Sequence, residues 1–218
     1  MRPALGPSVP LSCSDAFIRS CTRLAHDYDV GIQMHLAEAE FQAVSGMKRY
    51  GTSLVRHLDR LDLLGPHFTG AHCIWLDNDD LQIMRDRGAS VAHNPGSNLR
   101  LGSGVAPARQ MVDLGLTIGI GTDGSCCADS QNMFEAMRMA ALVSRLVSRD
   151  PDLWLGSWEV LSLGTDGAAP VLGLDAKIGR LQPGYQADIV FLDLTNVNYV
   201  PLNDVANQVV NCEDSSAV

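Results

Sequence analysis

The sequence lacks the features that mark several whole classes of protein. Its apolar runs all stop short of the ~18 residues that a membrane-spanning helix needs, so we expect no membrane partner. It contains no C-x-x-C pair, which argues against zinc-finger and thioredoxin-type sites. Basic side chains number 16 against 25 acidic ones, and the net charge of −9 argues against nucleic acid as a main partner.

The composition that remains is that of an ordinary globular chain, with 46% apolar and 19% charged residues among 218. That apolar content suffices for a sizeable core and excludes intrinsic disorder. Among six cysteines, Cys126 and Cys127 are adjacent and poorly placed to bridge each other. We therefore expect buried, reduced thiols in a cytoplasmic protein.

Short apolar stretches alternate with segments of helical spacing along the first two thirds of the chain. The spacing predicts strands over 30–36, 68–75, 90–93 and 116–121, and helices over 14–28, 52–61, 78–87, 108–114 and 132–149. Strands that alternate with helices indicate parallel β/α units and an α/β fold. Beyond residue 151 the pattern changes to a helix over 158–172, a turn over 178–184 and a strand over 187–194.

Polar side chains follow each of the four predicted strands. His35 and Glu38 follow the first, His72 the second, His93 the third and Asp123 the fourth. Taken singly, each histidine could be a hydrogen-bonded core residue, and Asp123 could cap a helix. Taken together, they fall on one rim if the strands are parallel, at the edge where α/β barrels carry their chemistry.

The residue types on this rim suit metal-assisted hydrolysis. Histidine with aspartate is a ligand pair for a divalent transition metal such as zinc, with one position left open for water. Glu38 lies three residues beyond His35, where a proton shuttle could act, and His72 could hold the same water from the other side. The other three histidines fall on predicted helices or loops, where structural roles are expected: His26, His57 and His67.

Several sequence strings carry a resemblance to a known family. They are H-L-A-E at 35–38, A-H-C at 71–73, H-N-P-G-S-N-L-R-L-G-S-G-V-A-P at 93–107, G-T-D-G at 121–124 with N-M-F-E-A-M-R at 132–138, and I-G-R-L-Q-P-G-Y-Q-A-D-I-V-F-L-D-L at 178–194. In this order they resemble the amidohydrolase superfamily, in the branch of metal-dependent deaminases and chlorohydrolases. That branch includes guanine and 8-oxoguanine deaminases, S-adenosylhomocysteine/methylthioadenosine deaminases and triazine hydrolases. The resemblance runs from about Ser8 to the C-terminus.

The resemblance implies a fold and a reaction. Residues 1–177 would form the C-terminal half of a (β/α)8 TIM barrel, namely strands 5–8 with their helices, and residues 178–218 would begin a small β-sandwich. The reaction would be hydrolysis of a non-peptide carbon–nitrogen bond, above all deamination of a purine, pterin or triazine ring by metal-activated water. The implied cofactor is one divalent metal, Zn²⁺ or alternatively Fe²⁺, and the implied partner is a small heterocyclic substrate.

Carried over position by position, the resemblance also implies roles for the rim residues. His35 and Asp123 would be metal ligands. Glu38 would move a proton from the water to a ring nitrogen, His72 would orient the water, and Asp123 would accept its second proton.

The loop after the third predicted strand would contact the substrate. The residues implied there are His93, Asn98 and Arg100. The glycines and prolines of the same loop leave another interpretation open, in which they only fix its path.

The sequence departs from the family in one large respect. Family members carry an H-x-H pair of metal ligands on barrel strand 1, and no H-x-H is present here. What resembles strand 5 begins only 30 residues into the chain, so strands 1–4 are expected to be missing, and 207–214 resembles a sandwich strand cut short. An alternative to an active enzyme is therefore a catalytically incomplete fragment, or half of a two-chain assembly. The partner chain would be either another copy, in a homo-oligomer, or a complementing N-terminal half.

Overall fold

A five-stranded parallel sheet forms the centre of the protein in the computed structural model, which describes residues 3–218. Its strands lie side by side in chain order: β1 (Ala4–Leu5), β2 (Gly31–Leu36), β3 (Phe68–His72), β4 (Ser90–His93) and β5 (Thr117–Ile120). The predicted parallel α/β class is confirmed. The first strand was not predicted, because two residues are too few to show a period.

The register of the sheet brings the ends of the strands to a common edge. His35 pairs with Ala71, Ala71 with Ala92, and Ala92 with Gly119. Residues paired across parallel strands point to the same side, so these four define one face of the sheet. The segments that follow β2, β3, β4 and β5 therefore all begin at the same edge.

Ten helices of the α type surround this sheet in the part of the chain described. They are α1 (Asp15–Tyr28), α2 (Glu40–Tyr50), α3 (Leu54–Arg60), α4 (Asn78–Arg87), α5 (Pro95–Arg100), α6 (Ala108–Asp113), α7 (Ser125–Ala128), α8 (Met133–Val147), α9 (Ser157–Leu163) and α10 (Val205–Asn211). Helix starts follow the local chemistry: the Ser14 hydroxyl accepts from the Phe17 amide, and Asp77 forms a capping box with Asp80. None of these helices is long and apolar enough to span a bilayer.

Four of these helices were not predicted, namely α2, α5, α7 and α10. In α2 only Gly46 is buried, and Phe41, Val44 and Met47 are exposed, so the apolar pattern does not mark an inward face. Helix α5 lies in a stretch rich in glycine and proline, where Pro95 takes the first turn, a position that proline tolerates.

The C-terminal region differs most from expectation. No strand forms over 187–194, where Val190 and Phe191 are exposed, and 207–214 contains helix α10 rather than a sandwich strand. A strand needs a row of backbone hydrogen bonds to a neighbouring strand, and within residues 3–218 this segment has one long-range bond, from the Asp193 amide to the Ala217 carbonyl, and no such strand beside it. The division at residue 177 stays a prediction, and Met1 and Arg2 lie outside the described residues.

The region around Tyr199 instead packs on α8 and α9. The Tyr199 hydroxyl donates to the fully buried carboxylate of Glu213 over 2.6 Å. The same carboxylate accepts from the Ser215 and Ala217 amides, and Arg138 donates to the Glu213 carbonyl. The Tyr199 hydroxyl and the Glu213 carboxylate and carbonyl thus all have partners, whereas the buried Nε of Arg138 has none within residues 3–218.

One face of the sheet is packed and the other is open. Buried apolar side chains cover the outer face under the helices, among them Leu36, Leu58, Met84, Val91 and Met111. The opposite face, which we call the groove face, borders a groove of about 550 Å³ and carries Gln33, His35, Thr69, Ala71, Ala92 and Gly119.

The far end of this groove has a floor. The Thr69 hydroxyl donates to the Val171 carbonyl over 3.2 Å, although 102 residues separate them. A methyl group added at Gly119 would lie 2.9 Å from the Ala168 Cα, so the chain approaches β5 as closely as glycine allows. The segment 168–173 thus closes the groove opposite the rim.

The cysteines follow the prediction only in part. Cys13, Cys21 and Cys73 are buried and free, as expected. Cys126 and Cys212 are free but exposed, and Cys127 is half-buried, so burial was the wrong expectation for them. Short helices and chain ends leave even apolar thiols open to solvent.

Candidate active site

His35 is the next-to-last residue of β2, with its side chain on the groove face. Its Nδ1 lies 2.9 Å from the carbonyl oxygen of Ser8, and a carbonyl can only accept a hydrogen bond. The ring therefore carries its proton on Nδ1. This leaves the Nε2 lone pair free, as in metal-binding histidines whose other ring nitrogen donates to a backbone carbonyl.

His72 ends β3 and is 1% exposed. Its Nδ1 lies 2.8 Å from Oδ1 of Asn98, and its Nε2 has no hydrogen-bond partner although it is fully buried. Instead Nε2 faces Oδ2 of Asp123 at 3.8 Å. The His72 ring also stacks on His35, with centroids 5.6 Å apart and planes 16° from parallel. Three of the predicted site residues therefore meet at the rim.

Strained backbone holds these side chains. His72 and Asp123 have φ angles of 72° and 61°, and Ala37, directly after β2, has 48°. Residues other than glycine rarely adopt this left-handed region, and such strain gathers at functional sites. At Asp123 the left-handed backbone conformation is stabilised locally, since Oδ1 of Asp123 accepts a hydrogen bond from the Gly124 amide over 2.7 Å.

Glu38 lies on the same rim and is half-buried. Its amide donates to Oε1 of Gln42, and within residues 3–218 its carboxylate makes no hydrogen bond or ion pair. Its charge acts on Cys127: the hydrogen bond with Cys126 chiefly raises the pKa of that thiol, and Asp123 and Glu38 raise it further. Glu38 therefore has a free carboxylate in the neighbourhood of Asp123.

The three predicted substrate contacts occupy different surroundings. Asn98 is buried and holds His72. His93 is buried too, with Nδ1 unpaired, and burial, with a smaller electrostatic effect of the neighbouring His72, lowers its pKa to about 4. Arg100 is exposed, pairs with Asp129 at 2.5 Å, and lines a separate cavity of about 320 Å³. The fold brings Asn98 and His93 to the rim and leaves Arg100 away from the groove.

Two contributors to the rim were not predicted. The Ser8 carbonyl that orients His35 is a backbone group, which no side-chain pattern reveals. Gly121 lies against Asn94, whose Oδ1 would be 2.5 Å from any added Cβ. The G-T-D-G string contained that signal, because a glycine next to a candidate ligand marks a close approach.

The donors on this rim fit part of a zinc site. The unpaired Nε2 of His72, the free Nε2 of His35 and the Asp123 carboxylate are the nitrogen and oxygen donors that zinc takes. Within residues 3–218, however, no three His, Cys, Asp or Glu side chains are grouped closely enough to hold a metal ion. The chain thus offers fewer protein ligands than the three of a catalytic zinc site.

Comparison with known proteins identifies the family to which the chain belongs. The model of the Amidohydrolase family matches residues 1–215, so the chain belongs to that family. A curated relative, the 5'-deoxyadenosine deaminase of Methanopyrus kandleri, is 36% identical over 206 residues, which are 93% of this chain and 47% of the relative. The chain thus spans about half the length of the curated relatives it matches.

Solved structures of similar proteins have the same fold as this chain. A zinc-bound adenosine deaminase from Xanthomonas campestris superposes with a TM-score of 0.92 at 31% identity, covering 95% of this chain and 47% of that one. An atrazine chlorohydrolase variant from Arthrobacter aurescens, complexed with zinc and atraton, gives 0.90 at 31% identity, with 95% and 46% covered. The predicted superfamily resemblance is confirmed.

Proposed function

We propose that this chain carries part of the catalytic apparatus of a hydrolytic deaminase that acts on the cyclic amidine carbon of a purine-type ring. The observation that carries the proposal is the buried, unpaired Nε2 of His72 facing the Asp123 carboxylate at 3.8 Å. Two acceptors that face each other across such a gap need a cation, a proton or a water between them. Triazine and pterin rings contain the same amidine unit and remain second choices.

His35 and Asp123 would hold one zinc ion, with Fe²⁺ as the alternative. When bound, the metal would supply the Lewis acidity that makes a water molecule nucleophilic near neutral pH. We propose that the remaining ligands come from the part of the relatives that this chain does not match. The free Nε2 of His35 supports its role as a metal ligand, because the hydrogen bond to Ser8 already sets the tautomer of the ring.

The protein's own groups would move the protons. Glu38 would deliver one proton to the ring nitrogen next to the attacked carbon, while Asp123 would take the second proton of the water. His72, held through Nδ1 by Asn98, would accept a hydrogen bond from the water at Nε2 and fix its direction. The carbon gains oxygen, its exocyclic C–N bond breaks, and ammonia leaves with the second proton.

The open side of the sheet supports a larger fold. We propose that residues 1–177 are part of a (β/α)8 barrel, with β2–β5 as its last four strands, and that residues 178–218 belong to a following sandwich segment. The outer edges of β1 and β5 have no neighbour within residues 3–218. A complementing N-terminal half would pair both edges and close the groove.

The unpaired outer edges of β1 and β5 also support a second candidate function. The chain by itself would be a catalytically incomplete half that acquires activity only in a two-chain assembly or in a longer polypeptide. The shortage of grouped metal-binding side chains in residues 3–218 favours this version for the isolated chain. Its free cysteines fit a cytoplasmic location.

The test measures ammonia release from purine, pterin and triazine substrates with zinc supplied. We would assay the chain alone, and then mixed with the N-terminal half of the Methanopyrus kandleri relative. Release from 5'-deoxyadenosine by the mixture but not by either half would support both the deaminase and the complementation. A well-formed complex with stoichiometric zinc and no release from any substrate would contradict the reaction.

A further inference from the structure

Two adjacent thiols lie on the rim, outside every role proposed above. Cys126 and Cys127 belong to α7, which follows Asp123 by one residue. Cys126 is exposed and Cys127 is half-buried. Both sulfurs lie on the same side of the chain, each 3.8 Å from the position that a Cβ on Gly124 would take.

The separation of the sulfurs is that of a chelating pair. Their Sγ atoms are 3.8 Å apart, well beyond the ~2.05 Å of a disulfide. Two sulfurs bound at ~2.3 Å to one tetrahedral centre also lie about 3.8 Å apart, and at a pyramidal trivalent centre, whose bond angles are smaller, they lie only a few tenths of an ångström closer. A single soft ion could therefore bridge this pair with little movement of either side chain.

The other thiols do not offer such a pair to solvent. Cys13, Cys21 and Cys73 are buried, and Cys212 is exposed but distant in the chain, on the turn after α10. Because no third histidine, cysteine or carboxylate in residues 3–218 joins the pair, it suits an ion that is satisfied by two thiolates. Trivalent arsenic with one organic substituent meets this condition.

We propose that Cys126 and Cys127 form a bidentate dithiol site for a soft, thiophilic ligand of the trivalent organoarsenical class. In water phenylarsine oxide becomes phenylarsonous acid, with two As–OH groups. Two S–H and two As–O bonds break, two As–S bonds form, and each thiol proton leaves with a hydroxide as water. Arsenic stays trivalent, so no oxidant is needed.

Occupation of this pair would bring an aromatic group within electrostatic range of Asp123 and Glu38, both of which act on the Cys127 thiol. That consequence rests on the proposed function, because those are the groups assigned to proton transfer. The binding itself does not depend on it, so the site can be tested on the full chain without any substrate.

The experiment is intact-mass measurement of the full chain after treatment with one equivalent of phenylarsine oxide. We expect one phenylarsenic group per chain, resistant to 2-mercaptoethanol and removed by 2,3-dimercaptopropanol. Cys126→Ser and Cys127→Ala should each weaken uptake by at least about 10²-fold, because one of two linked bonds is lost. Cys212→Ser and Cys21→Ser are the matched controls and should bind as the parent does, with circular dichroism confirming the fold of each variant.

Four results would overturn the proposal. The first three are absence of uptake by the parent, release of the group by the monothiol alone, and full uptake by the Cys126→Ser variant. Loss of uptake in Cys21→Ser alone would assign the ligand to the buried Cys13 and Cys21 instead. None of these results bears on the deaminase reaction, which is measured separately by ammonia release.

Discussion

Asn98 fixes the proton of His72, because its Oδ1 accepts from Nδ1 over 2.8 Å and thereby leaves Nε2 bare toward Asp123. Both side chains are buried, so water does not compete for this bond. The polar chemistry of the rim depends on it: with the proton on Nε2 instead, His72 would donate to Asp123 and could not accept from a substrate water.

Replacement of Asn98 by leucine should destabilise the chain by about 1–3 kcal/mol, because the buried Nδ1–H of His72 then has no acceptor. Chemical denaturation measures this loss, and ¹⁵N NMR of the imidazole ring should show the proton shifting toward Nε2. Asn203→Leu, at an exposed position, is the control and should change neither reading. An unaltered ring tautomer in Asn98→Leu would refute the orienting role.

Glu38→Gln should leave metal binding intact and lower turnover by about 10²–10⁴-fold, since an amide cannot relay a proton. The measurement needs an active form, either a longer polypeptide or the complemented pair. His35→Ala should act differently and lower metal content and turnover together. If Glu38 merely stabilises the start of α2, the glutamine variant would retain nearly parental turnover and lose at most about 1 kcal/mol of stability.

Stability should fall in acid through His93. Burial lowers its pKa from 6.5 to about 4, so the folded chain keeps it neutral while the unfolded chain binds a proton. Neutral His93 therefore contributes about 3 kcal/mol to the free energy of unfolding. This contribution is complete above pH 6.5, declines as the pH falls toward 4, and is lost below pH 4.

The check is the free energy of unfolding from pH 7.5 to 4 in the parent and in His93→Phe. The variant should lose less stability over this range than the parent does. His26→Gln, an exposed histidine, should follow the parent curve. Parallel curves for the parent and His93→Phe would show that His93 is not the group responsible.

Gly119→Ala should destabilise the chain by about 1–3 kcal/mol, because the added methyl group meets the Ala168 backbone at 2.9 Å. Thermal unfolding of this variant, compared with Gly65→Ala, isolates the clash, since a Cβ at Gly65 meets nothing within 4 Å. Equal effects of the two substitutions would mean that the floor of the groove is not closely packed.

The sequence predicts the four main strands and the rim they share, because buried strands and helices have different apolar periods. Helix α1 begins where Ser14 predicts it. Features that depend on residues far along the chain could not be predicted from the sequence. The segment 187–194, for example, has the composition of a strand, but no strand lies beside it within residues 3–218. Asn98 illustrates the same limit within the site, since the sequence does not reveal that its side chain is buried against His72, while its predicted contact with the substrate stays a prediction.

The hydrogen bond between Thr69 and Val171 has a consequence for the order of folding. It joins residues 102 positions apart, and contacts of such long sequence separation form late and slow the folding rate. On the ribosome, β2–β5 would emerge with their groove face uncovered until residue 171 has been made. During that interval the nascent sheet exposes its groove face, and this is the stage at which chaperone binding would have its largest effect on yield.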